Sequence, residues 1–213
     1  MSHLKREQIP KNWPIERKGT TYVVKPNSSG IPILIVLRNM LEIAQNRKEV
    51  KKAVQEKNIL LNNKPARDEK NGVTLFDTVS IIPSKKNYRM EIGENGKYKL
   101  NEIKESEANK KVSKIVNKKI LRGEKIQLNL IDGKNFISEI KCNINDSVMI
   151  NFKDKKIEKC LPLKEKANAI AFSGKHSGEN GIIEKIDRER KTVELKTKKG
   201  NIKVLIKQIM ITE

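Results

Sequence analysis

Apolar residues in this sequence never run on for long. The longest uninterrupted apolar stretch is Ile31 to Leu37, far short of the roughly 20 residues a membrane helix requires, so an integral membrane protein is excluded. Hydrophobic residues make up 36% of the chain and aromatics only 4%, too lean for one thick core and better suited to small β-rich units. The 213 residues allow one large domain or two to three small ones, at about 100–200 residues per domain. The opening residues are polar and basic with no apolar segment behind them, so no secretory signal is expected. Two cysteines, Cys142 and Cys160, cannot build a disulfide framework or a four-ligand zinc site. They read as small buried hydrophobes in a reduced, cytosolic chain.

The formal charge is +20, and each of the segments described below carries a positive excess. An AT-biased genome enriches Lys, Asn and Ile and would account for part of this, but acidic residues would then rise alongside lysine, and here they fall short by twenty. A polyanion partner explains the surplus directly, because each Lys or Arg set on a phosphate releases condensed counterions. An anionic membrane would need a basic amphipathic helix with aromatics on its apolar face, and the sequence has none. Catalytic signatures fail as well. There is no Gly-x-Gly-x-x-Gly, Walker loop, Gly-x-Ser-x-Gly or Cys-x-x-Cys, and two histidines, His3 and His176, are too few for a His-based cluster. No enzyme, cofactor, metal or small-molecule substrate is expected.

Residues 1–30, with Pro10, Pro14, Pro26 and a Ser28-Ser29-Gly30 break, have no sustained periodicity and read as an extended basic arm, disordered or ordered by a partner. Trp13 within it either anchors the arm on the first domain or stacks on a base. From Pro32 the pattern becomes helical, with Ile33, Leu34, Leu37, Met40, Leu41 and Ala44 on one face. Asn46 with Glu49 is a variant capping box for a second helix, whose apolar stripe is Val50, Ala53 and Val54 and which ends near Lys57. Asn62-Asn63 suits a tight hairpin, and Val73 to Ile82 reads as a closing strand. Between 85 and 165 only Glu102 to Lys110 has a helix signal. Ile126 to Leu130, an Asp132-Gly133 turn and Val148 to Phe152 alternate as strands. Asp77-Thr78-Val79-Ser80-Ile81 and Asp146-Ser147-Val148-Met149-Ile150 look alike and predict two strands of one kind in different sheets. The segment 166–213 offers five short strands, with Gly200-Asn201 as one turn, the size of a small barrel.

Ser173-Gly174-Lys175-His176-Ser177-Gly178-Glu179-Asn180-Gly181 is the sharpest motif. Its glycines permit positive φ and close approach of a phosphate backbone, with Lys175 and His176 as donors at the tip; a plain Gly-rich turn is the alternative. With Ile182-Ile183 behind it, the loop resembles the KOW motif of SH3-like barrels in ribosomal and transcription-elongation proteins. Residues 31–84 resemble the alpha-L RNA-binding fold, in which the second helix and the turn after it face RNA. The matching positions are Arg47, Lys51 and Lys52, at spacings that put them on one helix side, then Lys64 and Arg67 after the turn, with Arg38 on the first helix. Lys48 and Lys57 read equally as solvated.

The ordered set His3-Leu4-Lys5-Arg6, Pro10-Lys11-x-Trp13, Val36-Leu37-Arg38-Asn39, Glu49-Val50-Lys51-Lys52, Asp77-x-Val79-Ser80-Ile81, the glycine loop and Arg188-Glu189-Arg190 resembles the ribosomal protein S4e family of archaeal and eukaryotic small subunits. The likeness runs nearly end to end, and the lack of the longer basic tail of eukaryotic members implies an archaeal origin. It implies an α+β, mostly β fold: an extended basic arm (1–30), an alpha-L-like RNA-binding domain (31–84), a central β domain (85–165) and an SH3-like KOW barrel (166–213). It also implies a non-enzymatic, structural role in the cytoplasmic ribosome, binding small-subunit ribosomal RNA beside neighbouring ribosomal proteins. The RNA-contacting set expected is Lys5, Arg6, Lys11, Arg38, Arg47, Lys51, Lys52, Lys64, Arg67, Lys175, His176, Arg188 and Arg190. Lysine outnumbers arginine 37 to 9, which favours point-charge phosphate contacts over bidentate base reading. A KOW-type transcription or translation factor that binds RNA transiently is the alternative.

Overall fold

Strands carry most of the regular structure among the described residues, as short alternating apolar runs require, and the fold is α+β with β predominant. The computed structural model describes residues 3–122, 125–138 and 140–212. The chain divides into two compact units, Met1–Glu91 with Lys97–Asn109, and Ile92–Gly96 with Lys110–Glu213.

The first unit begins with the arm, and the arm is folded onto it. Strand β1 (Leu4–Lys5) pairs antiparallel with β2 (Tyr22–Val23), and Ile9 and Trp13, the latter 4% exposed, lie in the core with Ile31, Leu34 and Met90. Trp13 is therefore an anchor within its own unit. Chain-internal bonds supply the order for which the sequence offered no local signal: the Arg6 guanidinium donates to Glu16 O (2.8 Å), Thr20 O (2.7 Å) and Thr20 Oγ1 (2.7 Å), cross-linking the arm.

Strand β3 (Ile31–Pro32) leads into α1 (Ile33–Ile35), whose last turn widens into a π turn over Val36–Met40, with Leu41 N–H donating to Val36 O at 3.0 Å. The longer amphipathic helix predicted through Ala44 does not form. Ile33 through Leu37 are buried on every side, so the run has no polar face, and Glu42 at φ 54° turns the chain away. Helix α2 (Arg47–Gln55) follows the predicted cap: Glu49 N–H donates to Asn46 Oδ1 (3.1 Å), while the Glu49 carboxylate accepts from Gln45 N–H (2.8 Å) and Asn46 Nδ2 (2.6 Å). Val50 and Val54 are its buried face.

Asn62 and Asn63, at φ 52° and 60°, make the predicted tight turn between β4 (Ile59–Leu61) and β5 (Lys64–Pro65). The closing strand predicted from Val73 to Ile82 is two strands, β6 (Gly72–Val73) on β3 and β7 (Thr78–Ile81) on β4, because Asp77 folds the intervening turn by accepting from Thr74 N–H at 2.6 Å and Thr74 Oγ1 at 2.7 Å. β7 continues into β8 (Lys86–Ile92) and β9 (Tyr98–Ile103), giving the sheet order β5-β4-β7-β8-β9 before α3 (Glu105–Ala108). The boundary drawn at 84/85 thus falls between two strands of one sheet.

The second unit is built on β10 (Lys110–Ile120), one long strand that pairs with two different neighbours. β11 (Ile126–Leu130) joins its C-terminal half and β13 (Ser147–Asn151) its N-terminal half; β12 (Asn135–Ser138) and β14 (Lys156–Leu161) flank them in the order β12-β11-β10-β13-β14. Gly133 at φ 79° makes the Asp132-Gly133 turn. Ile115, Leu128, Leu130, Cys142, Val148 and Ile150 form its core. Cys142 is buried and Cys160 half-buried, and both are free thiols. β7 and β13 do enter different sheets, and each is preceded by a buried aspartate, Asp77 and Asp146.

A second sheet in this unit runs β18-β17-β16-β15-β19, from β15 (Asn168–Ala171), β16 (Asn180–Asp187), β17 (Thr192–Thr197), β18 (Gly200–Leu205) and β19 (Ile209–Ile211). Ala169, Ala171, Ile183, Leu195, Val204 and Ile209 fill it. Gly200 already pairs with Thr197, so the turn is Lys198-Lys199 rather than Gly200-Asn201. Two links tie the sheets: Ile211 N–H donates to Ser147 Oγ (2.9 Å), and Lys114 Nζ, 2% exposed, donates to Ile206 O and Ile209 O (2.9 Å).

Candidate nucleic-acid interface

Helix α2 opens on its first two basic side chains, Arg47 and Lys48, directly after the cap at Asn46, which fixes where they point. Burial of Val50 and Val54 leaves Lys48, Lys51 and Lys52 on the exposed side. Lys52 forms a long ion pair to Glu56, at 3.8 Å. Arg47 differs from its neighbours. A cation at a helix N-terminus is unfavourable, and its guanidinium is instead paired with Glu69, 2.6 Å from Nη2 and 3.1 Å from Nε, with the Glu69 side chain 4% exposed and that of Arg47 54%. The contact predicted for Arg47 is thus shared with a structural task, because a buried carboxylate needs a partner. Lys64 and Arg67 are exposed in and after β5, as are Lys5 in β1 and Lys11 beside Trp13.

Arg38 sits half-buried on the π turn, where its Nε donates to Asn39 Oδ1 at 3.1 Å. The structure brings Arg38, Arg6 and Arg47 to one cavity of about 430 Å³ in the first unit. Tyr22 also lines it and was not singled out in the sequence. The residue is 56% exposed, and its ring lies 4.8 Å from that of His3 with the planes 75° apart. Nothing in the string Thr20-Thr21-Tyr22-Val23 marks it, since its placement depends on β1 pairing.

In the second unit the glycine loop joins β15 to β16. Gly174 and Gly178 take φ 89° and 93°, as predicted; Gly181 does not take positive φ. Gly181 is needed for another reason, since a Cβ there would lie 2.5 Å from Lys196 O on the paired strand. A Cβ on Gly178 would collide with Gly93 O, so the close approach is to the protein's own backbone. Lys175 is exposed, whereas His176 is half-buried with Nδ1 3.4 Å from Glu179 Oε1. Arg188 and Arg190 project from the turn between β16 and β17, Arg190 within 3.8 Å of Asp187.

Burial lowers the Lys114 amine to about 8 and raises the Cys160 thiol to about 12, the latter reinforced by Cys142 and the Asp146 carboxylate beside it. Among the described residues no three His, Cys, Asp or Glu side chains are grouped to hold a metal ion, and no helix is long and apolar enough to cross a membrane.

The chain resembles known proteins along nearly its whole length. Residues 84–157 match the model described as "Ribosomal family S4e" and residues 2–29 that of the "RS4NT (NUC023) domain". The chain is 36% identical to the small ribosomal subunit protein eS4 of Methanocella arvoryzae, over 99% of this chain and 93% of that one. It is 37% identical to eS4 of Haloarcula marismortui over 87% and 82% of the two chains. The crystal structure of 30S ribosomal protein S4e from Thermoplasma acidophilum superposes with a TM-score of 0.73 at 22% identity, covering 85% of this chain and 93% of that one, and so shares its fold. Near end-to-end identity of this degree, on a β-dominated frame with exposed basic side chains, shows that the chain belongs to the ribosomal protein S4e family.

Proposed function

We propose that this protein is a structural component of the small ribosomal subunit that binds folded ribosomal RNA and meets neighbouring ribosomal proteins. The observation that carries the reading is the match over 99% of the chain to a protein named for that subunit, joined to a formal charge of +20. In the first unit the contact set is Lys5, Lys11, Lys51, Lys52, Lys64 and Arg67, all exposed; in the second it is Lys175, Arg188 and Arg190. Double-helical RNA hides its base edges in a deep narrow groove, so lysines set on phosphates and 2′-hydroxyls grip it by shape. His176, held by Glu179, contributes less than Lys175.

Binding of the full chain to a transcript of small-subunit rRNA across a salt series tests this. Each phosphate neutralised adds about 0.9 to the slope of log K against log salt, so a slope steeper than about −4 is expected. Affinity that stays flat from low to moderate salt contradicts the reading.

A further inference from the structure

We propose that the arginine cavity of the first unit captures a single RNA nucleotide, its phosphate on the Arg38 guanidinium and its base against the Tyr22 ring. The inference rests on the RNA-binding reading and sharpens it from a diffuse charged surface to one site.

Arginine is scarce in this chain, 9 against 37 lysines, yet Arg6, Arg38 and Arg47 converge on one cavity of about 430 Å³. That volume lies in the range that encloses a small organic group. Each guanidinium is positioned before any ligand arrives. Arg6 is locked by two backbone carbonyls and a hydroxyl, neutral partners that hold its geometry without cancelling its charge. Arg47 is fixed by Glu69. Among the described residues Arg38 bonds only through Nε, to Asn39, which leaves both Nη groups to form the two-pronged contact that a phosphate accepts. Among the described residues neither Arg6 nor Arg38 forms an ion pair, and Glu16 is the one carboxylate side chain lining the cavity. Leu34 and Ile35, almost wholly buried, form part of the cavity floor and give the arginines a packed backing.

The aromatic element is independent of the charge. Tyr22 is 56% exposed and His3 packs against it with the ring planes 75° apart, a contact that braces the ring while leaving more than half of the residue accessible. Burying an exposed ring against a base is the usual way single-stranded RNA is held, and a phosphate fork lining the same cavity as an exposed aromatic residue fits a nucleotide turned out of its stack.

The test uses the full chain and a transcript of the whole small-subunit rRNA. Arg38→Lys keeps the charge and removes the planar fork; Tyr22→Leu keeps apolar bulk and removes the ring. Each should weaken binding about tenfold at fixed salt, with the salt slope of Arg38→Lys unchanged. The pair Lys51→Gln with Lys52→Gln should instead flatten that slope by about two. Ultraviolet irradiation of the wild-type complex should join Tyr22 to one nucleotide position. Wild-type affinity in both single variants, or Tyr22 crosslinks scattered along the RNA, overturns the pocket, and a steep wild-type salt slope in the same experiment leaves the RNA-binding reading intact. Failure of the wild-type chain to bind the transcript overturns both. Thermal protection by submillimolar adenosine 5′-monophosphate, lost in Arg38→Lys, would assign the cavity to a free nucleotide and overturn its assignment to RNA.

Discussion

Arg47, Lys51 and Lys52 occupy one side of α2, yet their chemistry divides. Arg47 neutralises a carboxylate that the fold buries, so Arg47→Ala should cost about 1–2 kcal/mol, below the full penalty for a broken buried pair because the arginine itself is half in solvent. Lys51→Glu with Lys52→Glu should leave stability within about 0.5 kcal/mol per site and weaken RNA binding. Chemical denaturation of the two variants checks the contrast, and equal destabilisation would refute it. Lys114 carries a separate prediction. Its amine titrates near 8 in the folded protein and near 10.5 unfolded, so between those values the unfolded chain holds more protons and stability rises with pH. Cys160 works the other way, its thiol lifted from 9 to about 12, so the folded chain holds the extra proton there and stability falls above pH 9. Unfolding free energy should therefore climb from pH 8 to 9, stay level to about 10.5 while the two slopes cancel, and fall above that. Lys114→Gln, which keeps a donor for Ile206 O and Ile209 O and has no charge to lose, should abolish the climb; a rise that persists in the variant assigns it elsewhere.

At the scale of elements, three glycines in one loop separate by cause. Gly178 combines φ 93° with a backbone oxygen where a Cβ would stand, Gly181 has the neighbouring strand at 2.5 Å without positive φ, and Gly174 has φ 89° but only the movable Gln208 side chain near it. Alanine should then be worst at Gly178, intermediate at Gly181, and cost about 1 kcal/mol at Gly174, where the left-handed region alone is penalised. Melting temperatures of the three variants check the order, and equal losses would show that φ alone decides. Elements whose determinants are close in sequence were legible in advance: the Asn46 cap, the Asn62-Asn63 and Asp132-Gly133 turns, and the two like strands behind Asp77 and Asp146. The two aspartates even act alike, Asp77 accepting from Thr74 N–H at 2.6 Å and Asp146 from Asn143 N–H at 2.8 Å. What depends on distant partners was not legible. Glu69 beneath Arg47, Gly93 against Gly178, and the pairing of Leu4–Lys5 with Tyr22–Val23 leave no local pattern, and the early helix failed because a fully buried apolar run has the same spacing as an amphipathic one.

For the whole molecule, family membership was legible from an ordered set of short strings, and the exposed positions of Lys51, Lys52, Lys64, Arg67, Arg188 and Arg190 are where side chains must lie to reach a polyanion. The arginine cavity was not legible, although its three arginines were each named, because only the folded arm brings Arg6 to Arg38. A stable subunit component and a transient factor share this surface chemistry and differ in residence. Sedimentation of a native lysate through a sucrose gradient at low magnesium, with the protein detected in each fraction, separates them most directly. The account predicts that the protein migrates with the small subunit and leaves it only as salt is raised; a protein that stays at the top of the gradient at low salt would contradict it.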